Sequence, residues 1–106
     1  MFKVIRKQTR PNTSVEFWKD GRDPAMTDEF RNYFYENYVL TGKFISVTPE
    51  LSSDGLELTN TAIWNSETDA NEYLADVLVQ EGQFNKAAAH CDANGITVVV
   101  VSRETF

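Results

Sequence analysis

The chain has 106 residues, of which 42% are hydrophobic and 25% charged, and its formal net charge is -6. This length and balance fit one globular domain over residues 1–106, and the acidic charge argues against a nucleic-acid partner. No run approaches the roughly 20 apolar residues of a membrane span, and we expect no signal peptide. Cys91 is the only cysteine, so an intrachain disulfide is impossible and the cytoplasm is the expected compartment.

The first predicted element is a strand over residues 2–9, where β-branched and aromatic residues mix with polar ones until Pro11. Residues 11–26 then contain several turn formers and are long for a connection. The stretch from Val15 to Trp18 is too apolar to lie free in water, so we expect it to form a short strand or to pack on a partner. Residues 1–22 are net basic and could bind an anion, although solvated surface charge is the simpler interpretation.

A first helix follows, with Thr27 as its predicted N-cap and acidic residues in its first turn. Phe30, Phe34 and Tyr38 recur at intervals of four residues, which gives the helix an aromatic face. Gly42 is expected to end it in a left-handed conformation.

Two segments of alternating polarity, 44–51 and 56–64, predict a β-hairpin with Asp54 and Gly55 in its turn. If the polar side of the second strand lines a dimer cleft, it could contact a polar ligand; a solvated face is the simpler interpretation. Its residues are Glu57, Thr59 and Thr61, with Asn60 nearby.

A second helical region begins at Ser66, its predicted N-cap, and ends at Gly95. Gly82 is expected to interrupt it. The last predicted strand covers residues 96–102 and contains four consecutive valines, Val98 to Val101.

The order of elements predicts an α+β fold, a ferredoxin-like β-α-β-β-α-β antiparallel sheet with both helices on one face. The fourth strand lies at an edge of such a sheet, yet its valine run is apolar on both sides, which indicates a covered surface. We therefore expect a homodimer in which the open sheet faces meet, with Phe17, Trp18, Val99 and Val101 at the interface. The alternative is a monomer whose residues 11–26 cover that face.

Nearly the whole chain resembles the dimeric α+β barrel superfamily, which includes antibiotic-biosynthesis-type monooxygenases. The resemblance depends on element order, length and the local sequence Ala62-Ile-Trp-Asn-Ser-Glu67, in which a Trp ends the third strand and a helix start follows. It implies a dimeric α+β barrel fold. The superfamily contains cofactor-free oxygenases, haem-degrading enzymes, isomerases and members without known activity, so it implies no single reaction.

The residues of the haem-degrading members do not carry over as a set. Trp64 matches their Trp on the third strand. Asn12 lies beyond Pro11 and outside the predicted strand, while His90 comes too late in the second helical region. We therefore assign no catalytic residue and expect no cofactor.

The predicted ligand pocket, if there is one, consists of Tyr33, Phe34, Tyr38 and Trp64, whose rings would surround a small apolar or aromatic molecule. The simpler interpretation is that these side chains are core. His90 and Cys91 are adjacent on a helix and point roughly 100° apart, so they form neither a metal site nor a catalytic pair.

Two functions remain open from the sequence. One is a cofactor-free monooxygenase-like enzyme acting on a small aromatic or quinol-like substrate, which requires a cavity of a few hundred cubic ångströms beneath Trp64. The other is a non-catalytic dimeric binding or assembly module, which the aromatic residues of the 11–26 segment favour.

Overall fold

The computed structural model traces the backbone of all 106 residues and describes side chains and burial for residues 1–20 and 22–106. The elements are β1 (Phe2–Thr9), a 3-10 turn (Asp20–Arg22), α1 (Asp28–Phe34) continued by a π turn (Tyr35–Val39), β2 (Phe44–Leu51), β3 (Glu57–Trp64), α2 (Glu67–Ala75), α3 (Val77–Val79), a second π turn (Gln80–Phe84), α4 (Asn85–Asn94) and β4 (Thr97–Thr105). This order confirms the predicted β-α-β-β-α-β arrangement. Among the described helices, none is long and apolar enough to cross a membrane.

The four strands form one antiparallel sheet in the order β2-β3-β1-β4, so the first and third strands are central and the fourth is at an edge. Alternation along β1 sends Val4, Arg6 and Gln8 towards the helices and Lys3 and Ile5 to the opposite face. We call these the helix-facing side and the open face. The helices thus cover one side of the sheet, as the α+β prediction requires.

Aromatic side chains form the centre of the core between sheet and helices. Trp64, at the end of β3, lies with its ring centroid 4.9 Å from that of Tyr73 on α2. Tyr38 contacts both, at 5.1 Å from Tyr73 and 6.1 Å from Trp64. All three are at most 9% exposed. Such edge-on and tilted pairs each stabilise a core by about 0.5–1.5 kcal/mol beyond their buried area.

The predicted helix ends are confirmed. Thr27 Oγ1 accepts a hydrogen bond from the Phe30 backbone N–H at 3.1 Å, and Ser66 Oγ accepts one from Asp69 at 3.1 Å. Gly95 ends α4 with φ 67°, the left-handed conformation that a glycine adopts without strain.

The second helical region breaks at Asp76 and not at Gly82. Asp76 is extended, with ψ 117°, and its Oδ1 accepts a hydrogen bond from Leu78 N at 2.9 Å, which starts α3. Gly82 lies inside the second π turn, where a Cβ would fall 2.3 Å from Cδ2 of Phe30. The glycine therefore permits close packing against α1 and does not end a helix.

Residues 11–26, which we call the covering segment, form neither a regular strand nor a cover for the open face. They lie against the helix-facing side of β1 and against α4. Gln8 of β1 binds the Trp18 backbone, Lys86 Nζ donates to Ala25 O at 2.9 Å, and His90 Nε2 lies 2.7 Å from Glu16 O. The alternative in which this segment covers the open face is therefore wrong.

Candidate functional site

A cavity of about 700 Å³ lies between the helix-facing side of the sheet and the helices. Its size falls within the roughly 300–1,000 Å³ of small-molecule sites, which are typically apolar with a few placed polar groups. Eight aromatic side chains line it: Trp18, Phe30, Phe34, Tyr35, Phe44, Trp64, Tyr73 and Phe84.

The cavity exists because small side chains stand where larger ones would fill the space. Ala62 on β3, Ala70 on α2, and Ala87 and Ala88 on α4 all line it. An alanine at each of these positions has several fewer heavy atoms than leucine, so it leaves space that a larger side chain would fill in a close-packed interior.

Polar groups lie at one part of the cavity wall. Arg6 at the centre of β1 faces Asn60 on β3 in the strand register, and both line the cavity. The Arg6 guanidinium carbon lies 5.7 Å from the centroid of the Phe84 ring. A buried strand face normally carries apolar residues, because a desolvated polar group costs free energy unless it finds a partner. Polar residues at this position are therefore characteristic of a site.

Asp20, on the covering segment, completes this polar part of the cavity. Asn60 Nδ2 donates a hydrogen bond to its Oδ2 at 3.1 Å. Burial raises the pKa of the Asp20 carboxyl, while the charges of Arg6 and Arg22 oppose that rise. The result is a carboxyl group that holds its proton more readily than an exposed aspartate.

The covering segment is fixed to β1 through the backbone N–H and C=O of Trp18. The Gln8 side chain donates from Nε2 to Trp18 O at 3.0 Å and accepts at Oε1 from Trp18 N at 3.1 Å. Farther along, the Asp23 carboxylate accepts from Lys19 N at 3.3 Å and from Ala25 N at 3.0 Å. The backbone around Asp20 is therefore held in place from both sides.

Trp18 carries an unpaired donor. It is 3% exposed and lines the cavity, and its indole Nε1–H is buried without an acceptor among residues 1–20 and 22–106. A buried donor left unpaired costs about 1–3 kcal/mol.

A second polar group surrounds Asp76, at the junction of α2 and α3. The hydroxyls of Tyr33 and Tyr38 both donate to Asp76 Oδ2, at 2.5 Å and 2.7 Å. The hydrogen bond to Asp76 raises the pKa of Tyr33 to about 12, and burial followed by the same carboxylate raises the pKa of Tyr38. Burial would raise the pKa of Asp76, but the tyrosine hydrogen bonds, together with those from the backbone N–H groups of Leu78 and Val79, outweigh it and the net shift is downward. A small surface pocket of about 320 Å³ adjoins this group.

The predicted pocket residues divide between these two places. Phe34 and Trp64 line the large cavity, whereas Tyr33 and Tyr38 line the small surface pocket. Tyr38 is nevertheless packed against Trp64 from behind. The four residues therefore belong to one aromatic core, of which only part faces the cavity.

The predicted interface residues also divide. Phe17 and Trp18 are 8% and 3% exposed within the single chain, so they offer little surface to a partner. The Arg10 guanidinium stacks on Phe17 at 4.3 Å. Val99 and Val101 are about half exposed, and their role at an interface stays a prediction.

Sequence reasoning missed the residues that give the cavity its polarity: Arg6, Asp20 and, in its true place, Asn60. The available signal was Asn60 itself, which occupies an inward position between Leu58 and Ala62 in the alternation of β3. A polar residue in an apolar register is an exception to the pattern that forms the strand.

His90 and Cys91 have separate surroundings. The His90 ring contacts the covering segment, with its centroid 6.0 Å from that of Trp18. Cys91 is a buried free thiol that lines the cavity, and burial raises its pKa. In the part of the chain whose side chains are described, no group of three or more His, Cys, Asp or Glu could hold a metal ion.

Comparison with known proteins gives a likeness of fold. No family model matches the sequence, and no curated protein matches it. The structure of a candidate antibiotic biosynthesis monooxygenase from Deinococcus radiodurans is similar at a TM-score of 0.56 and 10% identity, covering 100% of this chain and 92% of that one. A monooxygenase from the gene ActVA-Orf6 of Streptomyces coelicolor, in complex with Nanaomycin D, gives a TM-score of 0.44 at 14% identity over 99% and 88% of the two chains. The first likeness shows that the chain has the ferredoxin-like α+β fold seen in proteins of the antibiotic-biosynthesis-monooxygenase type; the second carries no argument.

Proposed function

We propose that the chain is a monooxygenase-like enzyme that requires no bound cofactor and acts on a small aromatic or quinol-like molecule inside the cavity. The observation that carries this proposal is the cavity of about 700 Å³ with an aromatic wall and one polar part. A fully packed sheet face would have left no room for a substrate.

The chemistry of the wall favours a planar, oxygen-bearing substrate. Trp64, Phe34 and Phe84 present ring faces and edges, which suit a second aromatic ring. Arg6 and Asn60 are hydrogen-bond donors, which suit a phenolic or quinone oxygen. A molecule with an aromatic body and one oxygen-rich edge satisfies both parts at once.

An electron-rich quinol can supply the electrons for its own oxygenation, with one atom of O₂ entering the product and the other leaving as water. The protein then contributes orientation and exclusion of bulk water more than a redox group. In this proposal the cytoplasm is the compartment, since Cys91 is a free thiol.

The test is oxygen uptake and product mass with isotope-labelled O₂, over a panel of naphthols and naphthoquinols. We expect turnover by the wild type, and loss of both turnover and binding in Ala87→Phe, which places a ring in the cavity. Ala93→Phe on the exposed side of the same helix is the matched control. Binding weaker by at least about tenfold in the first variant alone corresponds to about 1.4 kcal/mol. If the two variants bind and turn over the substrate equally well, the cavity is not the substrate site and the proposal is contradicted.

We also propose that the working form is a homodimer joined through the open faces. Four strands of eight or nine residues give a face of about 19 by 26 Å. The projected area of this face is about 500 Å². Because side chains make the surface uneven, its accessible area is larger and approaches the roughly 800 Å² per partner of a standard interface. Ile5, Ile63 and Val99 supply apolar surface on this face, by alternation along the paired strands.

Sedimentation tests the dimer. Val99, 48% exposed on the open face, is changed to Glu, and Val77, 60% exposed on the helix side, is changed to Glu as the control. We expect a dimer for the wild type and for Val77→Glu, and a shift to monomer for Val99→Glu. A wild type that sediments as a monomer at micromolar concentration contradicts the proposal. A dimer that binds aromatic probes without turnover would favour the alternative function, a non-catalytic dimeric module.

A further inference from the structure

Asp20 has an unusual backbone conformation. Its φ of 51° is positive, and among the described residues no other non-glycine residue shares that sign. Left-handed backbone is uncommon for residues with a side chain, although aspartate and asparagine tolerate it best. The conformation is maintained by Asp23 N, which donates to Asp20 O at 3.0 Å, and by the neighbouring Arg22 N, which donates to Lys19 O at 3.2 Å.

The turn does not need a carboxylate at this position. Asp23 supplies the side-chain oxygens that bind backbone N–H groups of the segment, at Lys19 and Ala25. The Asp20 carboxylate binds Asn60 Nδ2 on β3 and lines the cavity. An asparagine or glycine would satisfy the same φ, so the acid requires another explanation.

The Asp20 carboxylate also has no ion-pair partner within 4.0 Å among the described residues. At longer range, the charges of Arg6 and Arg22 lower the pKa of Asp20, and the charge of Asp23 raises it. The charge of Asp20 in turn raises the pKa values of Tyr73 on α2 and Cys91 on α4. It is therefore a desolvated carboxylate with an amide hydrogen bond, and oxygen lone pairs remain for a ligand.

We propose that Asp20 is the proton acceptor of the cavity, taking the hydroxyl proton of a bound phenol or quinol while Arg6 faces the phenolate that forms. The O–H bond breaks, the proton moves to a carboxylate oxygen of Asp20, and the electron pair stays on the substrate oxygen. No electron leaves the pair of reactants, so this step requires no oxidant. Asn60 is a positioning residue, since it orients the acceptor through its hydrogen bond. The proposal rests on the proposed function, because it assumes an aromatic hydroxyl in the cavity.

Two features suit Asp20 to this role. Burial raises the pKa of its carboxyl, which makes the carboxylate a stronger base and brings it closer to the pKa of a phenol. The positive charge of the Arg6 guanidinium acts on this carboxyl and stabilises a negative substrate oxygen that forms beside it. The proton thus moves from the substrate hydroxyl to the Asp20 carboxylate, two groups whose pKa values lie closer together in the cavity than in water.

The experiment uses 4-nitrophenol, whose phenolate absorbs visible light and whose neutral form does not. The probe is titrated with protein about one pH unit below its solution pKa, where the free probe is mostly neutral. Binding is followed by equilibrium dialysis, and the protons released on binding are measured by calorimetry in two buffers of different ionisation enthalpy. The proteins are the wild type, Asp20→Asn, Asp20→Glu and Asp28→Asn. Asp28 is an exposed aspartate at the start of α1, where it pairs with Arg31, and is the matched control.

We expect the wild type and Asp28→Asn to bind the probe as phenolate with little net release of protons, because Asp20 takes the proton. In Asp20→Asn each phenolate bound should instead release about one proton to the solvent, and Asp20→Glu should behave as the wild type does. Equal proton release per bound phenolate in wild type and Asp20→Asn overturns the proposal, since the proton would then leave the cavity in both. Neutral phenol bound to the wild type overturns it as well. If none of the four binds the probe, the failure lies with the aromatic cavity of the proposed function, and the role of Asp20 falls with it.

Discussion

The side chain of Gln8 joins the covering segment to the sheet, and its removal is a direct test of how the cavity is closed. Gln8 is 6% exposed and makes two hydrogen bonds to the Trp18 backbone, at 3.0 Å and 3.1 Å. Gln8→Ala removes both partners at once. The N–H and C=O of Trp18 are then left in a buried place without the groups that satisfy them.

The magnitude follows from those two groups. Each buried polar group left unpaired costs about 1–3 kcal/mol, and water entering from the cavity can satisfy part of the need. We therefore expect the free energy of unfolding to fall by about 2–4 kcal/mol. A domain of this size loses about 4–8 °C of melting temperature per kcal/mol, so the shift should be roughly 10–25 °C.

Urea unfolding and thermal melting measure both quantities. Gln80→Ala is the matched control, because Gln80 also donates from Nε2 to a backbone carbonyl, that of Leu74 at 3.0 Å, but lies in an exposed place. We expect the control to change the free energy of unfolding by less than about 1 kcal/mol. Similar losses in the two variants would refute the reasoning, since burial would then have no influence on the cost.

Three further predictions concern the helices. Asp76 has a lowered pKa despite its burial. The stability that it contributes is therefore present above the ordinary pKa of 3.8 and is lost as the pH falls through the pKa of the folded state. In a plot of unfolding free energy against pH, Asp76→Asn should reduce the slope on the acid side. The hydrogen bond to Asp76 raises the pKa of Tyr33 from 10.0 to about 12. The stability that Tyr33 contributes is therefore present below pH 10 and is lost as the pH rises through about 12. In the same titration, Tyr33→Phe should reduce the slope of unfolding free energy on the alkaline side. Gly82→Ala should cost about 1–3 kcal/mol in urea unfolding, because its Cβ would fall 2.3 Å from the Phe30 ring, and adding Phe30→Leu should recover part of the loss.

Local signals explain why most of the fold could be predicted. Thr27, Ser66 and Gly95 mark helix ends through hydrogen bonds within a few residues, and strands show in period-two alternation. The break at Asp76 has one local signal, the hydrogen bond from Leu78 N to its Oδ1, but its other partners are distant in sequence. Its carboxylate is bound by Tyr33 and Tyr38, which lie 43 and 38 residues away in sequence. Only the tertiary packing of α1 against α3 places these groups together.

The site was predicted less well for the same physical reason. Trp64 and Phe34 are large aromatic residues in periodic elements, so their inward direction can be read from the pattern. The basic composition of residues 1–22 favours a solvated surface position for Arg6, although its place in the alternation of β1 directs it inward. Asp20 lies in a segment without periodicity, and its contact with Asn60 spans 40 residues. No local pattern connects these two residues.

The cost of the cavity gives a last test of whether it is a site or a packing defect. In a series of large-to-small core variants of another protein, T4 lysozyme, an empty apolar cavity cost about 24 cal/mol per Å³. At that rate an enclosed, empty cavity of about 700 Å³ would cost roughly 17 kcal/mol, more than the roughly 5–15 kcal/mol that stabilises a whole domain. The space between sheet and helices is partly open to solvent and avoids this cost by holding water, for which Arg6, Asp20 and Asn60 provide partners.

A solvated cavity predicts a specific response of Ala87→Phe, the variant that should abolish binding. A ring entering a water-filled space buries apolar area without displacing packed atoms, so the free energy of unfolding should stay unchanged or rise by up to about 2 kcal/mol. A ring forced into a filled core would instead lower it by about 1–3 kcal/mol. Urea unfolding of Ala87→Phe beside Ala93→Phe separates these outcomes. Gained stability with lost binding is the trade-off expected of a functional cavity, whereas a loss of both would mean that the space is occupied by the chain itself.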